Sequence, residues 1–362
     1  MKTDYIKLEY DKILNILSNH CKTYIGKNLA INLEPVFDTN EVTILLAETT
    51  EARNLIAAIG NIPIDNLPNI ELWIKYLESS KNLSCKSLLD ISKILDLAEL
   101  LKKYFYTDTN ILTNYSILGN LFSKIYCNES VKSSIQSAVL DENTIDDKAS
   151  KTLYSLRKNK RNLEQEIKSK LNTILHSSSY SKYIMEPIIT IRNNRYVIPI
   201  KFEDKDKIHG FIHDISASGS TVFIEPTSVF ELNSKINSIN LKEELEIEQI
   251  LAKLSALCVP IVENLKKLIL TIGKIDFIFA KATFSIDIDG VSPKINTQKF
   301  LSLKNARHPL IDKTKVVPIN ISLGKKYNSL IITGPNTGGK TVTLKTVGLL
   351  TLMSCSRTSY FC

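Results

Sequence analysis

The sequence predicts a multidomain protein, mainly α with a smaller α/β part, and three observations predict it. Apolar residues recur at helical spacing through residues 1–145. Between two long helical segments the period switches to that of strands, over residues 187–226. Towards the C-terminal end a short apolar run, a glycine-rich loop and a second helical pattern follow one another.

The first region reads as helices with stop and start signals. Asp38 is placed to cap a helix, with Glu41 as its capping-box partner. Val42, Leu45, Leu46, Ala52, Leu55 and Ile56 form its apolar stripe, and Gly60 ends it. Ser84 opens another helix, in which Leu88, Ile91, Leu95 and Leu101 recur. These stripes serve a core and carry no chemistry.

A second region, 146–260, holds two long helical arms. Ala149, Leu153, Leu156, Leu163, Ile167 and Ile174 follow three-four spacing, interrupted at Lys160 and Lys170, so the seam is narrow and suits a single partner helix. Residues 228–258 supply that partner: Val229, Leu232, Ile236, Ile239, Ile250, Leu254 and Leu257 repeat with one slip near Glu243. The first arm is rich in Lys and Arg and the second in Glu, which favours antiparallel pairing.

Between the arms, 187–192, 195–201, 208–214 and 221–225 are β-branched runs separated by Asn193-Asn194, by the charged stretch 203–206 and by the serine-rich 216–220. A small antiparallel sheet thus sits at the end of a helical hairpin. Arg192, Arg195 and Lys201 give it positive charge, which fits either backbone contact with nucleic acid or a solvated basic surface. His209 and His213 share a strand, but no third metal ligand accompanies them.

Gly334, Pro335, Asn336, Thr337, Gly338, Gly339, Lys340 and Thr341 form a complete Gly-x-x-x-x-Gly-Lys-[Ser/Thr] loop. The run 327–333 before it reads as a buried parallel strand, and 341–353 after it places Val342, Leu344, Val347, Leu349 and Leu350 on a helix. That order aims backbone N–H groups and a helix N-terminus at phosphate oxygens. Lys340 would reach the β- and γ-phosphates of ATP, and the Thr341 hydroxyl would hold Mg²⁺. The alternative is a glycine-rich turn without a ligand.

Composition narrows the setting. The 362 residues have room for two or three domains. The net charge of +8 comes from a chain also rich in Asn and Ile, so by itself it says little about nucleic acid. Cys21, Cys85, Cys127, Cys258, Cys355 and Cys362 lack Cys-x-x-Cys spacing, which points to reduced thiols rather than a zinc ribbon. With no apolar leader or spanning run, the expectation is a cytoplasmic protein without membrane contact.

Four long stretches, 188–201, 213–226, 306–311 and 332–353, resemble the second branch of the MutS mismatch-repair family, in the right order and over nearly the whole chain. The resemblance implies a helical lever/core over 1–145, a clamp over 146–260, returning core helices over 261–290 and an ABC-type P-loop ATPase beginning at about 291. It implies ATP and Mg²⁺ as cofactors, with residues 335–341 wrapping the phosphates and Asn336 near the γ-phosphate. It also implies a homodimer, and as partner either DNA, including branched DNA in the suppression of recombination, or the ribosome and its RNA in the rescue of stalled translation. No residue is assigned to the adenine. Phe223-Ile-Glu225 matches the mismatch-probing Phe-x-Glu of mismatch-repair MutS. That probe belongs to a separate N-terminal domain, however, so Phe223 is read as a strand residue. Family members are ATPases and endonucleases, yet after Met353 the tail 354–362 departs from the family pattern. The Walker-B acidic pair and the Smr nuclease module do not follow it, so the expectation is a truncated form that binds nucleotide at best. The alternative is a non-enzymatic, dimerising nucleic-acid-binding or coiled-coil P-loop protein.

Overall fold

The computed structural model describes residues 2–107, 114–335 and 339–356. It is mostly helical, with a four-stranded antiparallel sheet and a two-stranded one. Contacts divide the chain into two units: residues 1–78, 90–132 and 259–362 form the first, and 79–89 and 133–258 the second.

The first unit begins with α1 (Lys2–Lys7), α2 (Tyr10–His20), α3 (Tyr24–Ile31), α4 (Thr39–Ile59) and α5 (Glu71–Glu78). Asp38 accepts from the Glu41 N–H at 2.8 Å, capping α4. Gly60 stops that helix at φ 88°, where a side chain would be strained. Next in the chain comes α6 (Cys85–Phe105), whose residues 85–89 count with the second unit and in which Leu88, Ile91, Leu95 and Leu101 are fully buried. Its start is held by Ser84 Oγ, which accepts from Ser87 N–H. The short α7 (Ser116–Phe122) follows, then α8 (Glu129–Ala138), whose residues 133–138 count with the second unit. Phe122 of α7 stacks on Phe105 of α6 at 4.4 Å.

In the second unit the long arm α9 (Lys151–Leu175) begins later than its apolar spacing predicts. Residues 147–149 form a 3₁₀ turn, and Ser150 Oγ accepts from Leu153 N–H at 2.9 Å. A serine competes with the helical backbone for that N–H, and so sets the boundary. The hairpin β1 (Thr190–Arg192) and β2 (Arg195–Lys201) turns through Asn193 and Asn194, both at positive φ, the primed turn that suits the twist of a hairpin. Then come β3 (Gly210–Ile215) and β4 (Thr221–Pro226), giving the antiparallel order β1-β2-β4-β3. α10 (Thr227–Cys258) runs back along α9. Ile167, Leu171 and Leu175 of α9 close over Val229, Leu232 and Ile236 of α10 and over Ile198, Ile200, Val222 and Ile224 of the sheet. The slip in the α10 stripe is real: between Ile239 and Ile250 no apolar side chain is fully buried, and there Glu243 bonds Arg157 at 2.7 Å and Lys160 at 3.4 Å. Leu257, expected in the seam, is 47% exposed, and Cys258 is buried in its place.

Back in the first unit, α11 (Val262–Asp287) is buried on nearly every side, and helices α2, α3, α4 and α5 surround it. A Cβ on Gly273 would lie 2.3 Å from Ile25 Cγ2, so glycine is what lets α3 approach. Asp276 is buried beside this crossing. Its carboxylate accepts from Lys22 N–H, from Thr23 N–H at 2.7 Å and from Thr23 Oγ1 at 2.7 Å, which places negative charge at the start of α3. The antiparallel pair β5 (Leu301–Ala306) and β6 (Ile319–Leu323) precedes the loop, and α12 (Lys340–Cys355) follows it. α12 reaches two residues beyond the expected end.

The strand expected over 327–333 does not form. The segment has no ladder partner among the described residues, and Tyr327, Leu330 and Ile331 are exposed, Ile331 to 84%. β-branched residues favour the pleat only where a neighbouring strand takes up their N–H and C=O groups.

Candidate functional site

The glycine-rich loop enters α12 through Gly339, whose φ of 75° is left-handed and gives α12 an N-terminus without a side-chain cap. Gly334 likewise has φ 148°, with open space where a Cβ would stand, so conformation rather than crowding calls for glycine here. Lys340 Nζ donates to the Gly334 carbonyl at 2.6 Å, bringing the first and seventh residues of the motif together. Pro335 and Thr341 are exposed on either side. Asn336, Thr337 and Gly338 lie outside the described residues.

The other face of α12 is anchored. Leu349, Leu350, Leu352 and Met353 pack with Tyr10, Ile13 and Leu17 of α2, and Leu8 sits against Gly348, where a Cβ would come within 2.8 Å of its side chain. Glu9, left-handed at φ 62°, accepts from Lys12 and, at 3.0 Å, from Lys345 of α12. Lys12 first and Lys345 second hold the Glu9 carboxyl down at about 2. With Thr341, His308 and Leu310 these residues line a cavity of 540 Å³. His308 is buried, and burial lowers its pKa against the opposing pull of Glu9. Its Nδ1 accepts from Leu310 N–H at 3.3 Å. Sequence reasoning missed Glu9 and Lys345, because 336 residues separate them. His308 lies within a family-like stretch but carried no assigned role.

In the clamp-like unit the three basic candidates have different surroundings. Arg195 is committed to Glu225, a fully buried carboxylate: its NH1 reaches both oxygens at 2.8 and 2.9 Å, and its NH2 donates to Ser234. His213 at 2.6 Å and Asn233 Nδ2 at 2.7 Å complete the Glu225 environment. Asn233 also accepts from Tyr196 N–H and donates to Tyr196 C=O, taking the place of a strand beside β2. Arg192 stacks on Phe223 at 4.3 Å and pairs with Asp214 at 3.1 Å, half-exposed. Lys201 donates to the Lys182 carbonyl. Phe223 is thus a strand residue carrying an arginine. The His209 carbonyl accepts from Thr227, and among the described residues no cluster of three or more His, Cys, Asp or Glu could hold a metal. No helix among the described residues is long and apolar enough to cross a membrane.

No family model matches the chain. Among curated proteins it is 43% identical over 347 residues to the endonuclease MutS2 of Acetivibrio thermocellus, an alignment covering 96% of this chain and 44% of that protein. It is 39% identical over 349 residues to the endonuclease MutS2 of Clostridioides difficile and 40% identical over 349 residues to that of Finegoldia magna, with the same shares covered. The chain therefore spans under half the length of these relatives.

Proposed function

We propose, from the premise that this chain belongs to the MutS2 family, that it binds ATP with Mg²⁺ at Gly334–Thr341 and holds nucleic acid with its helical-hairpin unit. The observation that carries the reading is the loop itself: a left-handed Gly339 opening α12 without a side-chain cap, and an ammonium at Lys340 already gripping an oxygen 2.6 Å away. N–H groups at such a helix start favour an anion, and the partial positive charge of the helix adds to them. The Gly334 carbonyl occupies the ammonium where a phosphate oxygen would compete for it. Thr341 Oγ1, exposed in the first turn, would hold the magnesium ion that travels with the nucleotide and offsets its phosphate charge.

The rest of the chain supports transmission of nucleotide binding. α12 is fixed to α2 by apolar packing and to Glu9 through Lys345, so a shift of the loop on nucleotide binding is carried into the N-terminal helices. Hydrolysis additionally needs a carboxylate pair that positions metal and water, and the family arrangement of a homodimer supplies a closing segment from the second subunit. DNA is the nucleic acid this reading favours, and ribosomal RNA is the competing partner.

Nucleotide titration tests it. Lys340→Ala should weaken ATP affinity at least about tenfold, the loss of one charge-assisted contact to phosphate. Unchanged affinity would refute the phosphate-loop assignment.

A further inference from the structure

The structure assigns the nucleic-acid surface of the hairpin unit, resting on the reading above, to the outward face of α9, which we infer docks along the backbone of duplex DNA. Charge distribution is the starting point. Over residues 182–226, the sheet end of the hairpin, six basic side chains are matched by six acidic ones, and Arg195 is consumed by Glu225. α9 is different, with seven basic side chains against two acidic ones, Glu164 and Glu166.

The helix sorts these charges by face. Arg157 and Lys160 turn inward and are bound by Glu243 of α10, and the exposed Arg161 is taken up by Asp147 at 2.9 Å. Glu164 also turns inward, to the Tyr196 hydroxyl. Glu166, at the margin, is held by Lys170 at 3.1 Å. What remains outside is exposed and spaced four, three, four, three along the helix: Lys151, Ser155, Lys158, Asn162, Gln165 and Ser169, continued by Asn172. Lys168 flanks this stripe. Lys151, Lys158 and Lys168 have no ion pair among the described residues.

A stripe of Lys, Ser, Asn and Gln with no carboxylate along its centre has the donor chemistry of phosphate and sugar contacts, which position a protein without reading sequence. At a rise of 1.5 Å per residue the three lysines span about 25 Å, or roughly seven base pairs at 3.4 Å each. A straight helix matches a stiff duplex over that length. The stripe also lacks the succession of aromatic platforms that a single strand requires, Tyr154 being the one exposed ring on α9. B-form DNA, whose major groove is wide enough to admit a helix, suits it better than the deep, narrow groove of A-form RNA.

The test uses the whole chain and a labelled 25-base-pair DNA duplex, with an RNA duplex of the same sequence alongside, titrated by fluorescence anisotropy at several KCl concentrations. Lys151→Ala/Lys158→Ala/Lys168→Ala should bind the DNA about tenfold or more weakly at low salt and lower the slope of log K against log salt by about 2.7, or 0.9 per lost contact. Arginines at the same positions should restore both, and the circular dichroism of all variants should match. Arg192→Ala/Lys201→Ala should leave the slope nearly unchanged. If the triple variant binds like the parent while the Arg192/Lys201 variant fails, the surface lies on the sheet and this inference is overturned, with nucleic-acid binding intact. Selective loss of RNA binding would overturn the choice of DNA. A parent chain that binds neither duplex overturns this inference and the nucleic-acid reading together.

Discussion

Asp276→Ala removes one carboxylate and strands three donors at the start of α3. Thr23 is fully buried, and its N–H and hydroxyl both lose a 2.7 Å partner; the Lys22 N–H loses contacts at 3.0 and 3.1 Å. A buried donor left unsatisfied costs about 1–3 kcal/mol. The Thr23 hydroxyl can rotate and Lys22 is near solvent, so about 3 kcal/mol in total is the reasoned value. The assay is urea unfolding followed by fluorescence of Trp73, the sole tryptophan, which lies on α5 of the same unit. With a slope of about 3 kcal/mol/M, the midpoint should fall by about 1 M. Asp276→Asn keeps one acceptor oxygen and should fall between the two. A shift below about 0.3 M for the alanine variant, under 1 kcal/mol at that slope, would mean that Asp276 does not anchor α3.

Two further outcomes follow from charges buried elsewhere. Arg195→Ala leaves the Glu225 carboxylate buried without its main counter-charge; it should destabilise the hairpin unit by about 3 kcal/mol, seen as faster amide exchange in β2 and β4. Burial lowers the His308 pKa in the folded chain, so the unfolded chain takes up a proton near pH 6.5 that the folded one refuses. Stability should therefore be fully present above that pH and decline as pH falls towards the lower folded value. His308→Gln should flatten that part of the profile of urea midpoint against pH.

Features set by local chemistry were legible in the sequence. The Asp38 cap, the Gly60 stop, the Ser84 start and the four short strands all follow from residues within a few positions of one another. What escaped is long-range or conditional. Asp276 bonds Thr23 across 253 positions, Glu9 meets Lys345 across 336, and Arg195 reaches Glu225 from a strand position that is not its register partner. The run 327–333 has the composition of a strand, but strand formation depends on a neighbour and composition does not supply one. At the loop, the glycines and Lys340 were visible from spacing. The grip of Lys340 on Gly334 was not, since it depends on how the backbone turns between them.

The amide of Asn233 has a mechanical consequence. A helix and a sheet joined only by apolar packing can slide, because dispersion contacts are non-directional. Here one side chain of α10 is bonded to both the N–H and the C=O of Tyr196 and, through Glu225, to β4, at three points with fixed directions. These directed bonds resist sliding of α10 over the sheet, so a pull along the arm is met at Tyr196 and Glu225 as well as in the apolar seam.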